Sequence, residues 1–188
     1  PEIDGGRYPI KRVVGETVVV EADLFADGHD LVRGVLRYRH AQQEGWQETP
    51  LEFLTNDRWQ ASFETRELGR YCYGVMGWID HFATWQRDMR KRLGVQHDVS
   101  VDLVIGTRLI EEALSRAAGE SGRQLKAIAE AISASQHDAQ RHIELLLGED
   151  VTALMAACTD RRWATTYDKE LVVVVDRPRA RFSAWYEM

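Results

Sequence analysis

Acidic residues beside aromatic rings are the first place to look for chemistry in this sequence. Asp80 follows Trp78 and precedes His81; Asp88 lies on the next run, with Trp85 between them. Glycoside chemistry needs two carboxyl groups about 5 to 9 Å apart across a sugar. The apolar, rigid face of a tryptophan is the natural platform for a pyranose ring. Trp78, Asp80 and Trp85 are therefore the candidate substrate-binding residues. They are read as part of a hairpin, with the two rings facing each other across the strands as a cross-strand pair or a surface platform. A hairpin on a small sandwich implies no deep pocket, and acids there serve mainly as caps for turns and edges. The acids are thus read as caps and the two rings as packing or interface, with a sugar contact at Trp78, Asp80 and Trp85 kept as the alternative and no catalytic pair expected.

Other combinations carry less. His137 and His142 are five residues apart, so they diverge around a helix and cannot share a metal as an i, i+4 pair would. Both are read as partly exposed surface histidines. His29 stands between Asp27 and Asp30, but in a Gly-containing turn such side chains mostly satisfy loop backbone. The glycine patterns of phosphate loops and dinucleotide folds do not occur, nor does Gly-x-Ser-x-Gly. No catalytic residue, no metal site and no cofactor are expected. Of the remaining tryptophans (Trp46, Trp59, Trp163 and Trp185), Trp59 shares a face with Ala61 and Phe63 and reads as core.

The elements that would position these residues change period along the chain. Val18, Val20, Ala22 and Leu24 alternate with Glu21 and Asp23, the pattern of a half-buried strand. Leu36 and Tyr38 alternate with Val35, Arg37 and Arg39, and Trp59, Ala61 and Phe63 alternate with polar partners. Turn residues separate these runs at 26–30, 43–45 and 56–57. Residues 70–79 and 83–89 are two further strand candidates, and Tyr71 has the position of a tyrosine corner. Short strands at this spacing predict a β-sandwich. From Asp98 the period becomes helical. Leu103, Ile110, Leu114 and Ala117 form one stripe; Val101, Ile105 and Leu109 form another, which calls for neighbours on two sides. Ser121 to Gln124 has the spacing of a capping box. Ala139, Ile143, Leu146 and Leu147 predict a third helix closed by Gly148. Asp150 is the expected cap of a fourth, with Val151, Leu154, Met155 and Cys158 as its stripe. Residues 171–175 then read as a strand buried on both faces, and Ala180, Phe182, Ala184 and Tyr186 as a last alternating strand. The expected architecture is mainly β with an α insert. An immunoglobulin- or fibronectin-like sandwich from residues 1–97 plus 166–188 is interrupted by a small helical bundle at 98–165.

Composition narrows the classes. The chain has 188 residues with a hydrophobic share of 44%, ample for a core. The formal net charge is −6, which argues against a nucleic-acid surface; the basic run 87–92 reads as a solvated strand end. Two cysteines, Cys72 and Cys158, lie in no paired pattern and read as buried thiols suited to a reducing cytoplasm. No run approaches the ~20 apolar residues of a membrane span. Both ends of the chain are expected to be cuts in a longer protein.

Several short segments together point to one family. Asp4-Gly5-Gly6-Arg7-Tyr8-Pro9 with Lys11-Arg12, Phe25-Ala26-Asp27-Gly28-His29-Asp30, Gly77-Trp78-Ile79-Asp80 with Ala83-Thr84-Trp85, and Ala180-Arg181-Phe182-Ser183-Ala184-Trp185-Tyr186-Glu187 occur in order along the whole chain. The sequence resembles the N-terminal region of the bacterial maltosyltransferases that extend α-1,4-glucans from maltose 1-phosphate. The resemblance implies a β-sandwich with a helical insert that contributes to a homodimer. It also implies a catalytic barrel of the α-amylase type after residue 188, holding the family's nucleophile and acid/base. On that reading this segment is a non-catalytic accessory and dimerisation region of a cytoplasmic glycosyltransferase. A stand-alone α-glucan-binding module is the alternative.

Overall fold

The computed structural model describes residues 1–135 and 137–182. The chain divides into two compact units. Among the described residues, a sheet unit is formed by Pro1–Ala26, Val32–Trp78 and 164–182; a helical unit is formed by Asp27–Leu31 and Ile79–Trp163.

The described strands are β1 (Ile10–Val13), β2 (Thr17–Asp23), β3 (Val32–His40), β4 (Gln47–Pro50), β5 (Glu52–Thr55), β6 (Arg58–Glu64), β7 (Gly69–Ile79), β8 (Thr165–Thr166) and β9 (Leu171–Asp176). One sheet has the order β1-β9-β7-β3-β4, with β8 paired to β7; the other has the order β2-β6-β5. β1 and β9 pair in parallel, Ile10 opposite Val173, so strands before and after the helices close one sheet. Alternation decides which side chains go in. Val18 and Val20 on β2, Trp59, Ala61 and Phe63 on β6, Tyr71 and Tyr73 on β7, and Leu171, Val173 and Val175 on β9 share one core. Phe63 stacks on Tyr38 at 4.5 Å between centroids and meets Tyr73 at 5.9 Å. Its strand lies in one sheet and theirs in the other, so the sheets face each other across an aromatic layer as a β-sandwich.

Polar locks hold this unit's corners. The Tyr71 hydroxyl accepts the Glu67 backbone N–H at 3.0 Å, which realises the tyrosine corner. Gln42 N–H points at His40 Nδ1, 3.3 Å away, so Nδ1 must accept and Nε2 carries the proton that it donates to Leu68 O at 3.1 Å. Gly69 sits beside that ring with φ +128°, and a Cβ there would lie 2.7 Å from His40 Nε2. Glycine is required on both counts.

Three strand expectations change. β9 buries only alternate residues; Val172 and Val174 are half-buried. Residues 83–89 are helical, because Phe82, Trp85 and Met89 recur at 3.6-residue spacing behind an Asp80 cap. Pro178–Arg181 form a 3-10 turn, in which Pro suits the first position. Ala184, Trp185 and Tyr186 lie outside the described residues.

The helical unit contains α1 (His81–Gly94), α2 (Ser100–Arg116), α3 (Gly119–Ala134), α4 (Ala139–Leu146) and α5 (Glu149–Ala157). It begins before residue 98, since α1 belongs to it. Its core joins Phe82, Trp85 and Met89 of α1, Leu103, Ile110 and Ala113 of α2, Leu125 and Ile132 of α3, Leu146 of α4, and Val151 and Met155 of α5. The Trp85 ring fills the space over Gly106, where a Cβ would lie 2.3 Å from the ring. Gln86 donates to Leu146 O and shares hydrogen bonds with Thr152, linking α1 to α4 and α5. Capping differs from the expected pattern. Ser121 lies inside the first turn of α3, whose N-cap is Ala118 without a side-chain bond. Asp138 caps α4 through Arg141 N–H, and Gly148 precedes α5 as its N-cap, leaving Asp150 in the first turn.

Candidate functional site

The three candidate carbohydrate contacts have separate structural duties. Asp80 is buried and caps α1, accepting the Ala83 N–H at 2.9 Å. Trp85 is buried in the helical core and donates its indole N–H to Asp102 O at 2.9 Å. Trp78 is half-buried near the end of β7, in the sheet unit. The expected cross-strand pairing of Trp78 with Trp85 does not form, because Trp85 is on a helix and not on a second strand. Asp88, also on α1, is held by the Arg87 guanidinium at 2.8 Å, and this pairing depresses its pKa.

The basic run 87–92 is likewise helical. Lys91 and Arg92 occupy the last turn of α1, where cations complement the helix dipole. Arg92 pairs with the buried Asp102 of α2. His29 lies exposed in the Asp27–Leu31 segment, and its carbonyl accepts from Arg87. Among the described residues no three His, Cys, Asp or Glu side chains gather to hold a metal ion.

His142 is buried, not on the surface, while His137 is exposed. Thr107 donates its hydroxyl proton to Leu103 O, so its oxygen accepts from His142 Nε2 at 3.0 Å. Burial lowers the imidazole pKa below the usual 6.5. Cys72 and Cys158 are half-buried. Burial, reinforced by Glu170, pushes the Cys72 thiol up to about 11, which makes it a poor nucleophile.

Two surface features of the helical unit stand out. The first is the outer face of α2. Val101 and Val104 are each 69% exposed and Ile105 44%. Their i, i+3, i+4 spacing makes one contiguous apolar face. The expected second stripe is thus redrawn: Val104 joins it, and Leu109 turns half inward against the core. The second is a groove of about 620 Å³ lined by Arg116, Arg161, Arg162 and Asp160. Periodicity did not reveal it. Asp160-Arg161-Arg162 is visible as a charge run, but only the fold brings Arg116 of α2 beside it.

The fold is thus a mainly β region carrying a helical unit between β7 and β8. A family model described as alpha-1,4-glucan:maltose-1-phosphate maltosyltransferase, domain N/S, matches residues 1–177. The chain is 42% identical over 187 residues to the alpha-1,4-glucan:maltose-1-phosphate maltosyltransferase of Chlorobaculum tepidum, covering all of this chain and 28% of that protein. It is 38% identical over 193 residues to the enzyme of the same name from Myxococcus xanthus, covering 29% of it. A third, from Burkholderia pseudomallei, is 33% identical over 191 residues, covering 17% of it. The chain belongs to this family, as the N/S domain of its members. It spans less than a third of the length of these relatives. Among the described residues no helix is long and apolar enough to cross a membrane.

Proposed function

We propose that this chain is the non-catalytic, N-terminal accessory region of a cytoplasmic maltosyltransferase that transfers maltosyl units from maltose 1-phosphate to α-1,4-glucans, and that it self-associates as a homodimer through its helical unit. One observation carries the association: α2 leaves Val101, Val104 and Ile105 in water while burying Leu103, Ile110 and Ala113 opposite. An apolar helix face of this kind is the usual centre of an interface, and a two-fold dimer sets the same patch against itself. Asp80 and Asp88 are engaged as a cap and an ion pair, which supports a non-catalytic role.

Sedimentation equilibrium of the isolated chain tests this reading. A dimer is expected at micromolar concentration, and Val104→Lys with Ile105→Lys should return it to monomer. A strictly monomeric wild-type chain at high concentration in moderate salt would sink the proposal. The chain should also release no phosphate from maltose 1-phosphate and a glucan acceptor, and turnover by pure chain would defeat the accessory role. A second reading, a stand-alone glucan-binding module, is favoured by Trp163, which is 87% exposed. Glucan affinity that disappears in Trp163→Ala would support it.

A further inference from the structure

We propose that Asp27-Gly28 is a modification site, where the chain rearranges spontaneously through a cyclic imide to an isoaspartyl linkage, in preference to the other Asp-Gly pair, Asp4-Gly5. This goes beyond the association argued above and does not depend on it. The backbone nitrogen that follows an aspartate attacks that residue's side-chain carboxyl carbon. A new C–N bond closes a five-membered ring, and the nitrogen's proton leaves with the carboxyl OH as water. Water then adds back to one of the two ring carbonyls. Addition at the side-chain carbonyl breaks the new bond and restores aspartate. Addition at the main-chain carbonyl breaks the original peptide bond and leaves the chain running through the side-chain carbon. One water is lost and one regained, so no co-reactant is needed and the mass is unchanged. Glycine is the follower that permits this best, because no Cβ shields its nitrogen or restricts its backbone.

The two pairs share a sequence and differ in how the fold holds them. Asp27 and Gly28 are both exposed and lie outside any helix or strand. A Cβ built on Gly28 would meet open space. Among the described residues, no ion pair holds the Asp27 carboxylate and no hydrogen bond engages the Gly28 N–H. Asp4-Gly5 sits inside a closed turn. Asp4 O accepts the Arg7 N–H at 3.1 Å, and Ile3 O accepts from Gly6 and Tyr8 at 3.1 and 3.4 Å. Gly5 O accepts from Lys169 at 2.8 Å, and the Asp4 carboxylate lies 3.8 Å from Arg7. Ring closure must turn the aspartate backbone, which would break these bonds at Asp4 and meets no such tie at Asp27. The rearrangement has a consequence for the helical unit, to which Asp27–Leu31 belongs. Leu31 O accepts the Asp80 N–H at 2.7 Å, Leu31 N–H donates to Thr84 Oγ1 at 2.8 Å, and His29 O accepts from Arg87. An isoaspartyl linkage adds one methylene to the main chain just before these ties and loosens them.

The test is to age the 188-residue chain at neutral pH and physiological temperature, folded and, in parallel, in urea. Peptide mapping with electron-transfer fragmentation then separates isoaspartate from aspartate at each pair. In the folded chain isoaspartate should accumulate at Asp27 about tenfold faster than at Asp4, the rate cost of opening the hydrogen bonds around the second pair. In urea the two rates should converge. Asp27→Glu keeps the charge but would need a six-membered ring, and should remove the product from that peptide. Amide exchange at Leu31 should be faster in aged chains than in fresh ones, and no faster in aged Asp27→Glu. The absence of isoaspartate at Asp27 in the folded chain overturns the proposal, as does a rate at Asp4 that equals or exceeds it. A preference for Asp27 that persists unchanged in urea overturns the structural cause, and unaltered exchange at Leu31 overturns the loosening.

Discussion

In the sheet unit, β2 and β6 pair along seven residues, and their inward positions Val18, Val20, Trp59, Ala61 and Phe63 are all buried. In the helical unit, α2 buries Leu103, Ile110 and Ala113 yet leaves Val101, Val104 and Ile105 in water. The two regions use apolar residues differently. On a strand, side chains have two faces, and a residue assigned to the inner face has no other place to go. A helix has a full circumference, so it can fill one stripe for its own core and hold a second in reserve. Apolar residues at core-face positions of β2 and β6 therefore report on stability, whereas those on α2 report on stability or on partners according to their angle around the helix.

The largest expected effect tests the sheet side of this contrast. Trp59 is 8% exposed and donates to Leu24 O. Trp59→Ala should cost about 3–5 kcal/mol in urea unfolding. A loss within experimental error would show that alternation on β6 does not define a core.

Gly106→Ala probes the inner face of α2. Alanine should gain about 1 kcal/mol of helix propensity. The Trp85 ring cannot make room, because it is buried and hydrogen-bonded to Asp102 O. The clash should win, with a net loss of about 1–3 kcal/mol. A stabilised variant would mean that α1 and α2 are loosely packed here.

A smaller effect follows from His142. Its folded pKa lies below the unfolded value of 6.5, so the folded state binds fewer protons. Stability is complete above pH 6.5 and declines as pH falls below it toward the folded pKa. Urea midpoints measured from pH 8 to pH 5 should fall across that window, and His142→Gln should flatten the slope. An identical slope in the variant would assign the decline to other groups.

Measured on the monomer, below the concentration at which the chain associates, Val104→Lys should have the smallest effect on folding, within about 0.5 kcal/mol of wild type, because a side chain exposed in the monomer loses little on substitution. Compared with Gly106→Ala, two residues further along the same helix, it separates the inner face from the outer. A loss of several kcal/mol at Val104 would place that residue in the fold's own core.

Much of this was legible in the sequence. Alternation located β2, β3, β6 and β7, and the return of strand character after the helices announced β9. The i, i+3, i+4 spacing separated two stripes on α2, though the division of Leu109 and Val104 between them needed the neighbouring helices. The helix α1 was readable too, since Asp80 stands before Phe82, Trp85 and Met89 at helical intervals. The β-propensity of Thr84 and Trp85 pulls residues 83–89 toward a strand, but burial of that stripe outweighs so weak a preference.

Periodicity and residue type by themselves determined which faces of β2, β6 and α2 are apolar, because both act through near neighbours along the chain. Tertiary structure alone decided that β1 pairs with β9, that Trp85 covers Gly106, that Thr107 accepts from His142, and that Arg116 stands beside Asp160. Each of these joins residues distant in sequence, and no local pattern encodes a contact whose two halves are positioned by separately packed elements.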